Sequence, residues 1–193
     1  MTAIERVQRL LAGRRPVEAA PEPDAQPAAV AIILHEGSDG LAAVFIKRAV
    51  RTGDPWSGQV AFPGGRRDPA DADLLATAIR EAREEVGVDL RGATLLGALD
   101  DLQPRTPTLP PVVVRPYVFA VPTRPTLATS DEVQRVFWIP FRRLGEPGVR
   151  REVTLTLRGG QRTFPAYDLG EDVIWGMTER ILTPFVELLT PEA

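Results

Sequence analysis

Residues 62–88 read FPGGRRDPADADLLATAIREAREEVGV: a paired-glycine turn, a loop of arginines, acids and proline, and a run with helical periodicity that starts after Asp73. On a helix turning about 100° per residue, Leu75, Ile79, Ala82 and Val86 share an arc roughly 60° wide, while Glu81, Glu84 and Glu85 fall within roughly 100° of a neighbouring arc. The first arc is expected to enter a core and the second to gather carboxylates beside it. Glu81 and Glu85 are superposed on successive turns, and like charges so placed cost about a few tenths of a kcal/mol in an isolated helix. Two arrangements offset that repulsion. A hard divalent cation takes carboxylate oxygens as ligands. Alternatively, Arg80 makes a solvated ion pair with Glu84, as acidic helices commonly do. Gly64-Gly65 shifts the balance towards the cation, because paired glycines let the backbone adopt positive φ and bring bare peptide groups close to a ligand.

The spacing of these residues resembles the Nudix box: Gly, five residues, Glu, seven residues, Arg-Glu, two residues, Glu-Glu, any residue, Gly and an aliphatic. Here Gly65 is followed after five residues by Asp71, after eight more by Arg80-Glu81, then Ala82-Arg83, Glu84-Glu85, Val86, Gly87 and Val88. Asp71 in place of the first Glu, and the extra residue after it, are similar to the coenzyme A pyrophosphohydrolase branch. There a Gly-Gly-x-x-Asp-x-x-Asp start precedes Thr-Ala-x-Arg-Glu, matched by Gly64, Gly65, Asp68, Asp71 and residues 77–81. Arg48-Ala49 and residues 58–65 resemble the two ends of that branch's basic signature, with Arg51 closer than its second arginine and residues 53–56 an altered loop. Residues 132–140, EVQRVFWIP, and Trp175-Gly176-Met177-Thr178 resemble further family segments.

The resemblance implies an α/β/α sandwich around a mixed β-sheet and hydrolysis of a pyrophosphate bond in a nucleoside diphosphate derivative. It implies Mg2+ or Mn2+ bound by Glu81 and Glu85, Glu84 as a further ligand or base, the Gly65 carbonyl completing the shell, and Arg80 orienting the acids. Glu132 is either an acid assisting water or metal or a structural hydrogen-bonding group. The preferred substrate is coenzyme A or a derivative, with Arg48 and Arg51 as candidates to meet its 3′-phosphate or else as solvated loop arginines. ADP-ribose, a nucleoside triphosphate and a non-catalytic sensing role are the alternatives.

Composition narrows the chemistry independently. The chain has 193 residues, no cysteine, a single histidine and a net charge of −3. Disulfides, a thiol nucleophile and cysteine-bearing zinc sites are excluded, and a histidine-dependent triad would have to use His35, which has no nucleophile signature beside it. Carboxylate, arginine and metal-ion chemistry remains. The acidic balance does not suit nucleic acid, so a small-molecule nucleotide is the expected partner. No apolar run is long enough to span a bilayer, and the polar first residues lack the core of a signal peptide, so a cytoplasmic protein is expected.

Along the chain, residues 3–11 carry helical periodicity, and prolines 16, 21, 23 and 27 mark a linker, making 1–27 an appendage to a domain over 28–190. Residues 28–34 and 41–47 read as a hairpin with a loose five-residue turn. Further strands are expected at 94–99, 112–121 and 133–139, and a second hairpin at 152–157 and 162–166 around Gly159-Gly160. The proline-dense residues 100–111, with Arg105, are expected as a loop over the site's rim, or as an ordinary rigid connection. Residues 174–178 are expected to open a final helix interrupted at Pro184.

Overall fold

The computed structural model describes residues 1–20, 22–54, 56–104, 110–157 and 159–189. Two strands begin the sheet, β1 (Gln26–Gly37) and β2 (Gly40–Arg48), paired from Leu34 opposite Ala43 to Gly37 opposite Gly40. The turn is therefore Ser38-Asp39 alone, tighter than the expected five residues, because Gly40 takes a φ of 88° that closes it. Away from the turn the two strands part. The gap is filled from a later segment: β3 (Val60–Ala61) pairs with Ile46 and Lys47 of β2, and β4 (Gly64–Arg66) pairs with Ala28, Ala29 and Val30 of β1. Between them the Pro63 carbonyl accepts the Ala31 N–H at 2.8 Å.

The other edge of β1 pairs in parallel with β6 (Val112–Ala120), which pairs antiparallel with β5 (Thr94–Ala98), while β7 (Val133–Pro140) lines the other edge of β2. The sheet is mixed, and its central strands are buried on both faces, so their apolar runs are nearly continuous. On one face Ala29, Ala31, Ile33, Val44 and Ile46 pack against Ala78, Ala82 and Val86 of α2 (Leu74–Val86). On the other, Ile32, Leu34 and Phe45 pack against Val7 and Leu11 of α1 (Ala3–Ala12) and Ile181, Leu182 and Phe185 of α4 (Gly176–Leu189). This is an α/β/α sandwich. Among the described residues no helix is long and apolar enough to cross a membrane.

Helix α2 starts where Asp73 accepts the Ala76 N–H at 2.7 Å and stops at Gly87, whose φ of 73° suits glycine. Its buried face includes Ala82 and Val86 of the expected arc but is rotated away from Leu75 and Ile79. Thr77, Ala78, Ala82, Glu85 and Val86 are buried, whereas Leu75 and Ile79 are half-buried flanks. Small side chains at 78 and 82 let the helix press on the alanines of β1, and the closest approach, not the largest apolar side chain, decides which residues lose solvent.

The segment read as a linker is partly tied down. Arg14 pairs with Asp100, the Val17 and Ala19 N–H groups donate to Asp100 and Asp101 at 2.8 and 3.0 Å, and the strand begins at Gln26. Pro27 is accommodated in it near the strand start, its carbonyl accepting the Arg67 N–H at 2.9 Å. A second sheet of three strands, β8 (Arg150–Leu157), β9 (Gly160–Asp168) and β10 (Val173–Trp175), contains the expected hairpin. Residues 173–175 are thus strand, not the opening of the helix. Helix α4 starts at Gly176 and runs continuously through Pro184. Asp172 joins the two sheets, pairing with Lys47 of β2 at 3.2 Å and with Arg135 of β7. A one-turn helix, α3 (Phe141–Leu144), follows β7.

Candidate active site

A cavity of about 660 Å³ opens where β1 and β2 part. Its apolar wall comes from Val30, Phe62, Val112 and Val114 of the sheet region and Met177 and Ile181 of α4, so it lies largely on the α4 side. Glu81 and Glu85 also line it, although α2 packs on the opposite face of the sheet. They reach it through the gap at Gly64-Gly65.

The glycines are required there by space. Neither has a positive φ, so close approach and not backbone freedom is what calls for glycine. A Cβ at Gly64 would stand 2.6 Å from the Val30 Cα, and one at Gly65 would stand 2.7 Å from the Glu81 carboxylate carbon. With no side chain to intervene, the Gly64 N–H donates to Glu85 Oε2 at 2.8 Å.

Glu85 is 3% exposed, so the acid-bearing face is inside the core at this position and not merely adjacent to it. Burial pushes its carboxyl up to about 7, against the opposing pull of the Gly64 N–H. Burial also raises Glu81, countered by Arg80.

Arg80 organises the outer side of the site. Its Nε donates to Asp71 Oδ1 at 3.0 Å and its Nη2 to Asp71 Oδ2 at 3.0 Å, a two-pronged pair. Its Nη1 donates to Glu81 Oε1 at 2.8 Å and Glu84 Oε2 at 3.0 Å, and its Nη2 also reaches the Arg66 carbonyl. Asp71 is buried, accepts the Thr77 hydroxyl at 2.8 Å and the Asp68 N–H at 2.9 Å, and is held at about 2, chiefly by Arg80. The residue that departs from the general box is therefore the anchor of Arg80.

Glu84 is half exposed, pairs with Arg80 and does not line the cavity. Among the described residues no three acids or histidines converge as a metal-binding cluster. The geometry brings together Glu81, Glu85 and Gly65 and leaves Glu84 outside the cavity, paired with Arg80. Two carboxylates turned into one cavity against bare peptide, one of them deeply buried, are oxygen donors of the kind a hard divalent cation takes, so this donor set fits one.

Beside Glu85, Arg48 lines the wall, 3.1 Å from Asp54 and 3.9 Å from Glu85. Glu132 lines it too, but Arg51 does not: its guanidinium is held outside by Glu132 at 3.0 Å and the Asp131 carbonyl at 3.2 Å. His35 lies elsewhere, 3.2 Å from the Val121 carbonyl and edge-on to Trp138. Pro110 reaches the cavity from the expected rim loop, and Leu102 of that loop bridges to Val114; residues 105–109, with Arg105, are outside the described residues. Asp54, Trp56, Arg66, Met177, Thr178 and Ile181 also line the cavity, beyond the site residues to which the sequence points. Met177 and Thr178 belong to the Trp-Gly-Met-Thr segment, but only the crossing of α4 over the splayed sheet gives them a place in the wall.

The NUDIX domain family model matches residues 25–157. Human mitochondrial coenzyme A diphosphatase NUDT8 is 33% identical over 191 residues, 96% of this chain and 78% of that protein. The uncharacterised Nudix hydrolase NudL of Salmonella paratyphi B is 35% identical over 127 residues, 65% of this chain, and the match spans 64% of the relative's length. The MutT/nudix family protein from Enterococcus faecalis shares the fold with a TM-score of 0.56 at 21% identity, over 85% of this chain and 61% of that one. A C. elegans Ap4A hydrolase does so with a TM-score of 0.52 at 18% identity, over 61% of this chain and 82% of that one. With the splayed sheet, the glycine gap and the acidic helix behind it, these matches establish that the chain belongs to the Nudix family of pyrophosphohydrolases.

Proposed function

We propose that this protein hydrolyses the pyrophosphate bond of coenzyme A or a derivative, giving 3′,5′-adenosine bisphosphate and a phosphopantetheine. The observation that carries the substrate is the match, over 96% of the chain, to a protein named for coenzyme A diphosphatase activity. The cavity supports it in size and character: carboxylates and arginine at the glycine gap, an extended apolar wall beyond.

Glu81, Glu85 and the Gly65 carbonyl would hold Mg2+ or Mn2+. When bound, such an ion neutralises phosphate charge and acidifies water. Arg80, anchored by Asp71, keeps Glu81 turned towards the cavity, and Glu84 steadies Arg80 from outside. Glu132, which lines the same cavity, takes a proton from the attacking water as the new P–O bond forms and the bridging P–O bond breaks. Arg48 faces the same space and supplies positive charge for the substrate phosphates.

A second reading, ADP-ribose as substrate, is favoured by one observation. Both arginines considered for the 3′-phosphate are already paired, Arg48 with Asp54 and Arg51 with Glu132. A panel of coenzyme A, dephospho-coenzyme A, ADP-ribose and nucleoside triphosphates, with products identified by mass, decides between them. Coenzyme A is expected to be turned over fastest; faster cleavage of ADP-ribose replaces the first reading by the second.

A further inference from the structure

Arg48 stands between two acids that it treats unequally. Its Nη2 lies 3.1 Å from Asp54 Oδ2, within hydrogen-bond reach, while its Nη1 stays 3.9 Å from Glu85 Oε1, beyond it. The nearer contact is built into the loop after β2. Asp54 Oδ1 accepts the Trp56 N–H at 3.0 Å, the Ser57 hydroxyl oxygen accepts the Arg51 N–H at 2.7 Å, and the Gln59 carbonyl accepts the Arg48 N–H at 2.9 Å. Arg48 Nε is buried without a hydrogen-bond partner among the described residues, so the side chain is not arranged to satisfy itself.

Glu85 is buried with another carboxylate lining the same cavity, and a mobile arginine nearby would be drawn onto it. A guanidinium seated on Glu85 would occupy an oxygen that a divalent cation needs. We propose that Asp54 is a positioning residue that holds Arg48 off Glu85, leaving that carboxylate open to the cation. This rests on the reading of Glu85 as a metal ligand.

Mn2+ binding to the full chain, followed by calorimetry without substrate, tests it. Asp54→Asn is expected to weaken Mn2+ binding about fivefold or more with little change in melting temperature, the scale of a site-to-site coupling. Asp54→Glu should restore most of the affinity. Arg48→Met should bind Mn2+ at least as tightly as wild type, and adding Asp54→Asn to it should then make no further difference, because the arginine to be restrained is gone. An unchanged affinity in Asp54→Asn overturns the proposal. So does a further loss in the double variant, which would mean that Asp54 acts on the cation by its own charge; this comparison holds even if the single Asp54 variant folds poorly. Glu85→Gln binding Mn2+ as well as wild type would overturn the metal reading, and the proposal with it.

Discussion

Gly65 lies against the carboxylate of Glu81 so closely that an added methyl group would stand 2.7 Å from its carboxylate carbon. At Gly64 the obstruction is different: the nearest atoms are the backbone of Ala29 and Val30. A side-chain carboxylate can move and a paired strand cannot. Gly65→Ala is therefore expected to fold with nearly wild-type stability and lose most turnover as Glu81 is displaced. Gly64→Ala is expected to cost about 1 to 3 kcal/mol by overpacking. Melting curves and turnover on the same preparations check both; equal stability losses would mean that the two glycines serve the same purpose.

Glu81→Gln should abolish metal-dependent hydrolysis, since a neutral amide replaces an anionic ligand. The fold should persist, because Arg80 keeps its two-pronged pair with Asp71. Wild-type turnover with metal still required would remove Glu81 from the mechanism.

Glu85 carries the pH signature of the site. Its carboxyl is raised from 4.5 to about 7, mainly by burial. The folded state binds that proton more tightly than the unfolded state, so the metal-free protein loses stability as pH rises from 4.5 to 7 and stays at the lower level above it. The swing is about 2 to 3 kcal/mol. Glu85→Gln should remove it, making the metal-free protein more stable than wild type at pH ~8 while ending turnover. Urea unfolding in chelator at pH ~5 and ~8 reads this directly; the same pH difference in wild type and variant would contradict it.

Asp71 has the opposite sign. It is held down at about 2, first by Arg80, so its stabilisation is present above its ordinary value of 3.8 and is lost as pH falls through about 2. Asp71→Asn should cost about 2 kcal/mol at neutral pH and flatten the acid limb of the stability profile. Turnover should fall as well, because Arg80 loses the partner that fixes its direction. Chemical denaturation between neutral and strongly acidic pH, paired with kcat/KM, tests both parts.

Leu75→Ala and Ile79→Ala should cost only about 1 to 2 kcal/mol, below the range of about 2 to 5 kcal/mol for fully buried truncations, because both side chains are half-buried. Ala78→Leu should destabilise by about 1 to 3 kcal/mol, since it forces α2 away from β1. A larger loss for Leu75 than for Ala78→Leu in denaturant titrations would restore the expected core face.

The repeating pattern of residues 74–86 was enough to locate α2, and Gly87 enough to end it, because both follow from local backbone preferences. The carboxylates at 81 and 85 were legible for the same reason: a helical spacing places them together whatever surrounds the helix. Their environment was not. Burial of Glu85 depends on how near α2 comes to β1, and that is set by Ala29, Ala31, Ala78 and Ala82 on two elements distant in sequence. Periodicity counts Leu75 and Ile79 as core and cannot weigh small side chains that permit close packing.

Strand content could be read from apolar runs and turn residues, but not the parting of β1 from β2, which arises only when β3 and β4 enter the gap. That parting lets the acids of one layer line a cavity on the other side of the sheet. It also brings Asp54, Trp56 and the first turn of α4 to the cavity's wall, and sends Arg51 to Glu132 instead. The sequence by itself determined the helix, its acids and the glycines before it, because local geometry dictates them. The tertiary structure decided which acid is buried, which arginine lines the cavity and what forms the apolar wall, because those depend on distances between elements that no local rule contains.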